Sequence, residues 1–384
     1  MSKTRVVIPL AVPHLTGNLR RYLDECVETN YVSSVGPFVT RFEEEFARFV
    51  GSRYAVACVN GTAALHLAVR LLGVEPGDEV LVSTFTFVAS VNALVYQRAR
   101  PVLVDAERES WNLDPELVTG EIRRRAKAGQ RLPKAVEAVH ILGHPANIEP
   151  ILEVCEEFHI PLFEDAAEAL GATYTEGRLA GRQVGTLGKV GCFSFNGNKI
   201  ITTGGGGMLT TDDEALARRA KHLTTQARLP GSEYWHDEVG YNYRLTNLAA
   251  AVGLSQLEQL PEFLRRKWEI ADRYDRALGG IPGITLPPRA QWAKPSMWLY
   301  SILIDPQKAG VDRNRVLAAM AECGIEARPL WPPVHKMPMY PEARYLGGNV
   351  AEGLFLQGVT LPCSVGLTVE EQDVVIECLL RCIS

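Results

Sequence analysis

The chain has 384 residues, 46% of them hydrophobic and 22% charged, an ordinary globular composition that buries a sizeable core without disulfides. A formal net charge of -5 supplies no basic field for nucleic acid or an anionic membrane surface, so neither is expected as a partner. No apolar run reaches the roughly 20 residues a membrane helix needs, and the opening MSKTRVVIPL lacks the apolar core of a signal peptide, which points to a cytoplasmic protein.

Residues 1 to about 36 read as a segment lying over the domain that follows. Residues 54–59 then read as a strand and 61–72 as a helix with one apolar face. The same alternation continues: strand 79–83, helix 86–96, strand 101–105, charged helix 115–128, strand 135–141, helix 148–159 and strand 161–164. The triplet Arg123-Arg124-Arg125 in the charged helix reads as a solvated face. Strands 190–194 and 207–211 follow, then a helix over 212–224 and a long helical stretch over 245–278, interrupted by Pro261. Gly and Pro cluster over 279–288, which sets a boundary: a large domain over 1–280 and a smaller α/β domain over 281–384. The small domain holds a strand over 297–304 and helices over 313–323 and 369–382. The rhythm of the first part predicts a mainly parallel, seven-stranded sheet flanked by helices. Ligands then bind outside the carboxyl ends of its strands. The eight cysteines are scattered with no CxxC pair, so reduced, buried thiols are expected and no metal site.

Three stretches after strands carry chemistry. In Val59-Asn60-Gly61-Thr62-Ala63 a strand ends and a helix begins. Either Gly61, Thr62 and Ala63 seat an anion with the free N–H groups of the first turn, or Asn60 or Thr62 simply caps the helix. In Glu164-Asp165-Ala166-Ala167-Glu168, Asp165 either faces a protonated ring nitrogen or caps a helix. In Cys192-Phe193-Ser194-Phe195-Asn196-Gly197-Asn198-Lys199, one lysine precedes four consecutive glycines, 204–207. Their spacing does not match a P-loop. A fixed lysine of lowered pKa suits imine chemistry.

Anion seat, ring acid and lysine occur in that order along one parallel sheet. With them the chain resembles the DegT/DnrJ/EryC1/StrS family of nucleotide-sugar aminotransferases, within the fold-type I PLP-dependent transferases. The resemblance rests on NGTAAL, STFTFVAS, HILGHPAN, EDAAEALGA, GCFSFNGNK with TTGGGGML, and GYNYRLTNLAAA. It implies pyridoxal 5′-phosphate (PLP) as cofactor, with Lys199 as the imine-forming lysine and Asp165 as the acid at the ring nitrogen. It places Gly61, Thr62, Ala63 and Ser194 at the phosphate and Phe87 on the ring face. Asn242 is implied to reach the phosphate of a neighbouring subunit, hence a homodimer with shared sites. Glu168 stands where many members carry Gln, near the phenolic oxygen. His144 stands where many carry Gln and reads as a loop residue. His335 resembles a sugar-proximal histidine.

The resemblance further implies transfer of an amino group from L-glutamate to C4 of a nucleotide-linked keto sugar. Within the family the motifs look most like enzymes acting on UDP-4-keto-6-deoxy-N-acetylglucosamine in bacillosamine or legionaminic acid pathways. Enzymes of the GDP-perosamine type, acting on GDP-4-keto-6-deoxymannose, stand close behind. A PLP-binding sensor that does not turn over would keep the same residues. A sugar dehydratase would replace Lys199 with histidine.

Overall fold

A computed structural model describes residues 8–231 and 233–383. The chain enters through α1 (Leu19–Glu28) and α2 (Pro37–Val50), then alternates β1 (Tyr54–Cys58), α3 (Gly61–Leu71), β2 (Glu79–Ser83), α4 (Ala89–Tyr96), β3 (Arg100–Val104), α5 (Pro115–Lys127), β4 (Ala135–Val139), α6 (Glu149–Glu157) and β5 (Leu162–Asp165). After a two-residue strand, β6 (Thr173–Tyr174), come β7 (Val190–Ser194), β8 (Gly207–Thr211), α7 (Glu214–Thr224), α8 (Asn247–Leu257) and α9 (Leu260–Leu278). The strands are short apolar runs buried on both faces, as helix-covered parallel sheets require. Side chains of Asn60, Asp114, Asp213 and Thr246 cap α3, α5, α7 and α8, which fixes where each helix starts. Pro261 sits in the first turn of α9, where its missing N–H costs nothing, so the long predicted helix is two.

Beyond residue 280 lie β9 (Ile284–Thr285), β10 (Ala293–Lys294), β11 (Tyr300–Ile304), α10 (Pro306–Ala309), α11 (Arg313–Glu322), β12 (Arg328–Pro329), β13 (Arg344–Leu346), α12 (Val350–Gln357), β14 (Gly358–Leu361) and α13 (Val369–Ile383). The second sheet is antiparallel, in the order β12-β14-β11-β9. Strand β10 instead pairs with β6.

The large sheet departs from expectation. It has eight strands, not seven, in the order β1-β8-β7-β5-β4-β2-β3-β13, and β8 runs against the rest. The eighth is β13, which lies beyond the expected boundary and pairs parallel with β3. A three-residue edge strand carries no pattern of its own. What seats it is Asp105, just after β3, whose carboxylate accepts the N–H groups of Gly348, Val350 and Ala351 at 3.1, 3.0 and 2.9 Å. Residues 1–7 of the expected N-terminal cover lie outside the described residues. The part that follows does not lie over the large sheet: Ile8 N–H donates to Gly324 and Cys363 N–H donates to Leu10. From His14 onward the segment does lie on the large domain as expected: Gln256 donates to the His14 carbonyl at 2.9 Å and Asn18 to Glu258 at 2.7 Å. Helices α1 and α2 follow, held by Asn247, which takes the Phe38 N–H at 2.9 Å and donates to the Tyr31 carbonyl at 2.8 Å.

Two side-chain expectations also change. Arg125 is buried, donating to Glu121 at 2.6 Å and to Glu79, so only part of the arginine triplet is a solvated face. Cys323 is exposed, unlike most of the other thiols. Among the described residues no helix is long and apolar enough to cross a membrane.

Candidate active site

The carboxyl ends of β1, β5 and β7 meet the start of α3 around a cavity of about 330 Å³. It brings together Gly61, Thr62, Phe87, Asp165, Glu168, Ser194 and Lys199. Asn60 caps α3 by accepting the Ala63 N–H at 2.7 Å. Ala63 therefore spends its N–H on the cap and does not line the cavity, a correction to its expected place in the anion seat. Gly61 is constrained by space: a Cβ there would stand 2.7 Å from the Ser194 Cβ. The chain can bring the helix start up against Ser194 only without a side chain.

Asp165 ends β5 and is buried. Its Oδ2 accepts from Ser90 Oγ at 2.7 Å and its Oδ1 from the Ala167 N–H at 3.0 Å. Burial pushes its pKa up, opposed by those two hydrogen bonds and by Lys199. Behind it, Glu164 accepts N–H groups from Gly185, Leu187 and Gly188 at 2.7, 2.6 and 2.7 Å and pairs with buried His140 at 3.0 Å. That network pins the strand end carrying Asp165. Two ladder positions further back on β4, Glu137 pairs with Phe163, whereas Val139 pairs with Asp165. Glu137 is fully buried and neither carboxyl oxygen has a hydrogen-bond partner. Burial pushes its pKa well up, and Asp165 adds to it.

The Lys199 side chain is 13% exposed, with Nζ 3.7 Å from Glu168 Oε1 and 3.8 Å from the Trp298 ring centre. Burial lowers its pKa; Glu168 and Asp165 pull against that. Glu168 holds its other oxygen on the Leu142 N–H at 2.7 Å, and burial raises its carboxyl to about 7. Near neutrality Glu168 therefore titrates beside the lysine. Where many members carry Gln, this chain thus keeps a carboxyl that has both a donor and a raised pKa.

Of the other expected residues, Phe87 is at the cavity, whereas His335, Asn242 and His144 lie apart. Phe87 lines the cavity, is 50% exposed and meets Trp331 edge-on at 6.0 Å. His335 does not line the cavity: its Nδ1 engages Thr84 Oγ1 at 2.8 Å and its Nε2 engages Glu352 at 3.2 Å, with Tyr345 stacked on the ring. Asn242 is exposed and outside this cavity. His144 is buried, donating from Nδ1 to the Pro145 carbonyl and accepting the Ala290 N–H at Nε2, and burial lowers it to about 4. The sequence reading missed Ser90, Asn198, Trp298 and Trp331 as lining residues. Trp298 donates from Nε1 to the Asn198 carbonyl at 2.7 Å, steadying the residue before Lys199, and stacks with Trp331 at 6.2 Å. Ser90 lies one helical turn past Thr86, to which it bonds at 2.7 Å, a spacing visible in STFTFVAS. The tryptophans carry no such local signal.

A helix start open to an anion, a buried carboxylate and a buried lysine of lowered pKa, all at strand ends of one α/β sheet, define a PLP-dependent enzyme of the aminotransferase class. The DegT/DnrJ/EryC1/StrS aminotransferase family model matches residues 13–380, and the chain belongs to that family. It is 42% identical to EpsN of Bacillus subtilis (strain 168) over 378 residues, covering 97% of this chain and 95% of that one. It is 40% identical to the GDP-perosamine synthase of Caulobacter vibrioides over 373 residues, covering 97% of each. Among solved structures, DesV of S. venezuelae, in complex with a ketimine intermediate, superposes with a TM-score of 0.85 at 30% identity, over 98% of this chain and 99% of that one. The protein is a PLP-dependent sugar aminotransferase. Its own residues fit that cofactor: the absence of a side chain at Gly61 brings the start of α3 and Ser194 together on one side of the cavity, as a phosphate seat requires, and Asp165 and Lys199 bound the same cavity.

Proposed function

We propose that this enzyme moves the amino group of L-glutamate to C4 of a nucleotide-linked 4-keto-6-deoxy sugar, with Lys199 and Asp165 as its catalytic residues. The observation that carries the residue roles is the buried Lys199 amine held 3.7 Å from Glu168 in one cavity with Asp165. PLP, when bound, supplies an aldehyde for amino groups and a ring that takes up the electron pair left on the donor carbon. Lys199, its pKa lowered by burial, accepts the α-proton of glutamate at Nζ and returns a proton to the sugar carbon in the second half-reaction. Asp165, with both oxygens fixed by Ser90 and Ala167, holds a proton on the ring nitrogen. The open N–H groups of Gly61 and Thr62, with the Ser194 hydroxyl, hold the phosphate. Phe87 covers one ring face, and Trp298 and Trp331 exclude water where the sugar enters.

Two sugars compete. The motifs favour UDP-4-keto-6-deoxy-N-acetylglucosamine, whereas three relatives at 40%, 39% and 38% identity are GDP-perosamine synthases, which weighs toward GDP-4-keto-6-deoxymannose. Assays of both keto sugars with L-glutamate decide between them. The true substrate yields amino sugar and an equal amount of 2-oxoglutarate, with parallel double-reciprocal plots. Intersecting plots, or no 2-oxoglutarate with either sugar, would sink the reading. We place the second copy of a homodimer over the exposed Asn242 region, where Tyr234, Trp235 and Val239 are exposed at 79%, 65% and 79%. Asn242→Ala then weakens cofactor retention without unfolding the chain; a fully active monomer would rule out the shared site.

A further inference from the structure

Outside the set of residues that line the catalytic cavity, two sulfurs meet. Cys323 closes the carboxyl end of α11, and Cys378 lies on the buried face of α13. Their Sγ atoms stand 2.7 Å apart, across 55 residues of sequence. Two thiols in ordinary van der Waals contact would sit about an ångström further apart, whereas a disulfide needs about 2.05 Å. Cys323 is exposed and Cys378 is buried, while Cys382, one turn further along α13, is half-buried. One sulfur thus faces solvent and its neighbour waits behind it, the arrangement of an attacking and a resolving thiol. The two helix ends that carry them are held in place. The α11 end is closed by N–H bonds from Cys323, Gly324 and Ile325 to the Ala319, Ala321 and Met320 carbonyls. Cys378 in turn points its thiol at the Ala319 carbonyl at 3.5 Å.

We propose that Cys323 and Cys378 form a redox modification site, a dithiol that a hydroperoxide converts to a disulfide within the folded chain. The Cys323 thiolate attacks one peroxide oxygen; the O–O bond breaks, Cys323 becomes a sulfenic acid and, with a proton, the other oxygen leaves as water. The Cys378 sulfur then displaces hydroxide from the Cys323 sulfur, and its own proton leaves with that hydroxide as a second water. Two thiols are oxidised by two electrons in all and one peroxide is reduced. The order follows from position: burial, then the contact with Cys323, pushes the Cys378 thiol up to about 12, so it resolves rather than attacks. The bridge ties α11 to α13 and so secures the segment from Gly324 to Glu326, against which Ile8 pairs.

The test uses the full-length holoenzyme, reduced, desalted and exposed to hydrogen peroxide, then denatured, alkylated with N-ethylmaleimide and mapped by mass spectrometry. Two of the eight thiols escape alkylation in the wild type, and the Cys323 and Cys378 peptides are recovered joined, about 2 Da lighter than their sum. The bridged form also melts at a higher temperature than the reduced one. Cys323→Ser forms no bridge and keeps its aminotransferase rate. In Cys378→Ala, dimedone traps Cys323 as the sulfenic acid. Full alkylation of all eight thiols after peroxide, or a bridge that maps to Cys382, overturns the assignment. A Cys378→Ala protein in which dimedone finds no sulfenic acid at Cys323 overturns the order of attack.

Discussion

The cavity has two walls of different origin. One is made of strand ends: Gly61, Asp165, Ser194 and Lys199 follow β1, β5 and β7, and backbone hydrogen bonds fix each of them. The other comes from beyond residue 280, with Trp298 ahead of β11 and Trp331 after β12, and is held by ring stacking and one indole N–H. The first wall is set by sheet topology, the second by packing between distant segments. Residues that make and move bonds sit on the rigid wall. On the proposed reading, those that would meet the variable half of the substrate sit on the other.

That contrast breaks most directly at Lys199. Lys199→Ala lowers kcat by about 1,000-fold or more, read as amino sugar formed per enzyme, because among the described residues no other amine lines the cavity. A variant with near-normal turnover would remove the rigid wall from the chemistry. Asp165→Asn comes next, with about a 100-fold loss of kcat and weaker cofactor retention, while KM for the sugar stays nearly constant. Trp331→Ala tests the other wall. It raises KM for the keto sugar about 10-fold and leaves the glutamate half-reaction unchanged, as loss of one apolar ring contact predicts. An equal loss in both half-reactions would mean that the walls do not divide the work.

Glu168→Gln produces a smaller effect, one of pH. The Glu168 carboxyl is raised to about 7 in the folded chain from an ordinary 4.5, so its contribution to stability is full below 4.5 and fades as pH rises through 7. The wild type should therefore lose melting temperature relative to the variant over that interval, and the limb of its rate profile near pH 7 should flatten in the variant. Superimposable profiles would show that Glu168 does not titrate there. Smallest of all is His335→Gln. With both ring nitrogens engaged by Thr84 and Glu352, its loss costs a little stability and leaves KM for the sugar within about two-fold.

What the sequence made legible follows the same division. The βα rhythm located the strands, and residues one or two positions past a strand end inherit their place from it, as Asp165 and Gly61 do. Lys199 is further from its strand but is marked by the glycines after it. Ala63 was misjudged because Asn60 competes for its N–H, and sequence cannot say which acceptor wins. Trp298 was hidden because Met297, at φ 53°, ends the extended run that the predicted strand assumed, so the chain turns toward the cavity just there. Strand β13 was invisible because three residues at an edge carry no period and depend on Asp105 for their place.

Glu137 and Asp165 stand on adjacent strands, one carboxyl satisfied and one with nothing to accept from. The orphan must enter the interior as a neutral acid, because no cation or donor meets it there. Assembly of this sheet in neutral solution therefore draws a hydrogen ion out of the buffer, and alkaline medium withholds it. A lightly buffered refolding mixture should turn measurably more basic, and isoleucine at this position should cut the uptake by about one proton per chain, leaving the share that Glu168 takes. A refolding that leaves the pH untouched would mean that the interior keeps a naked charge.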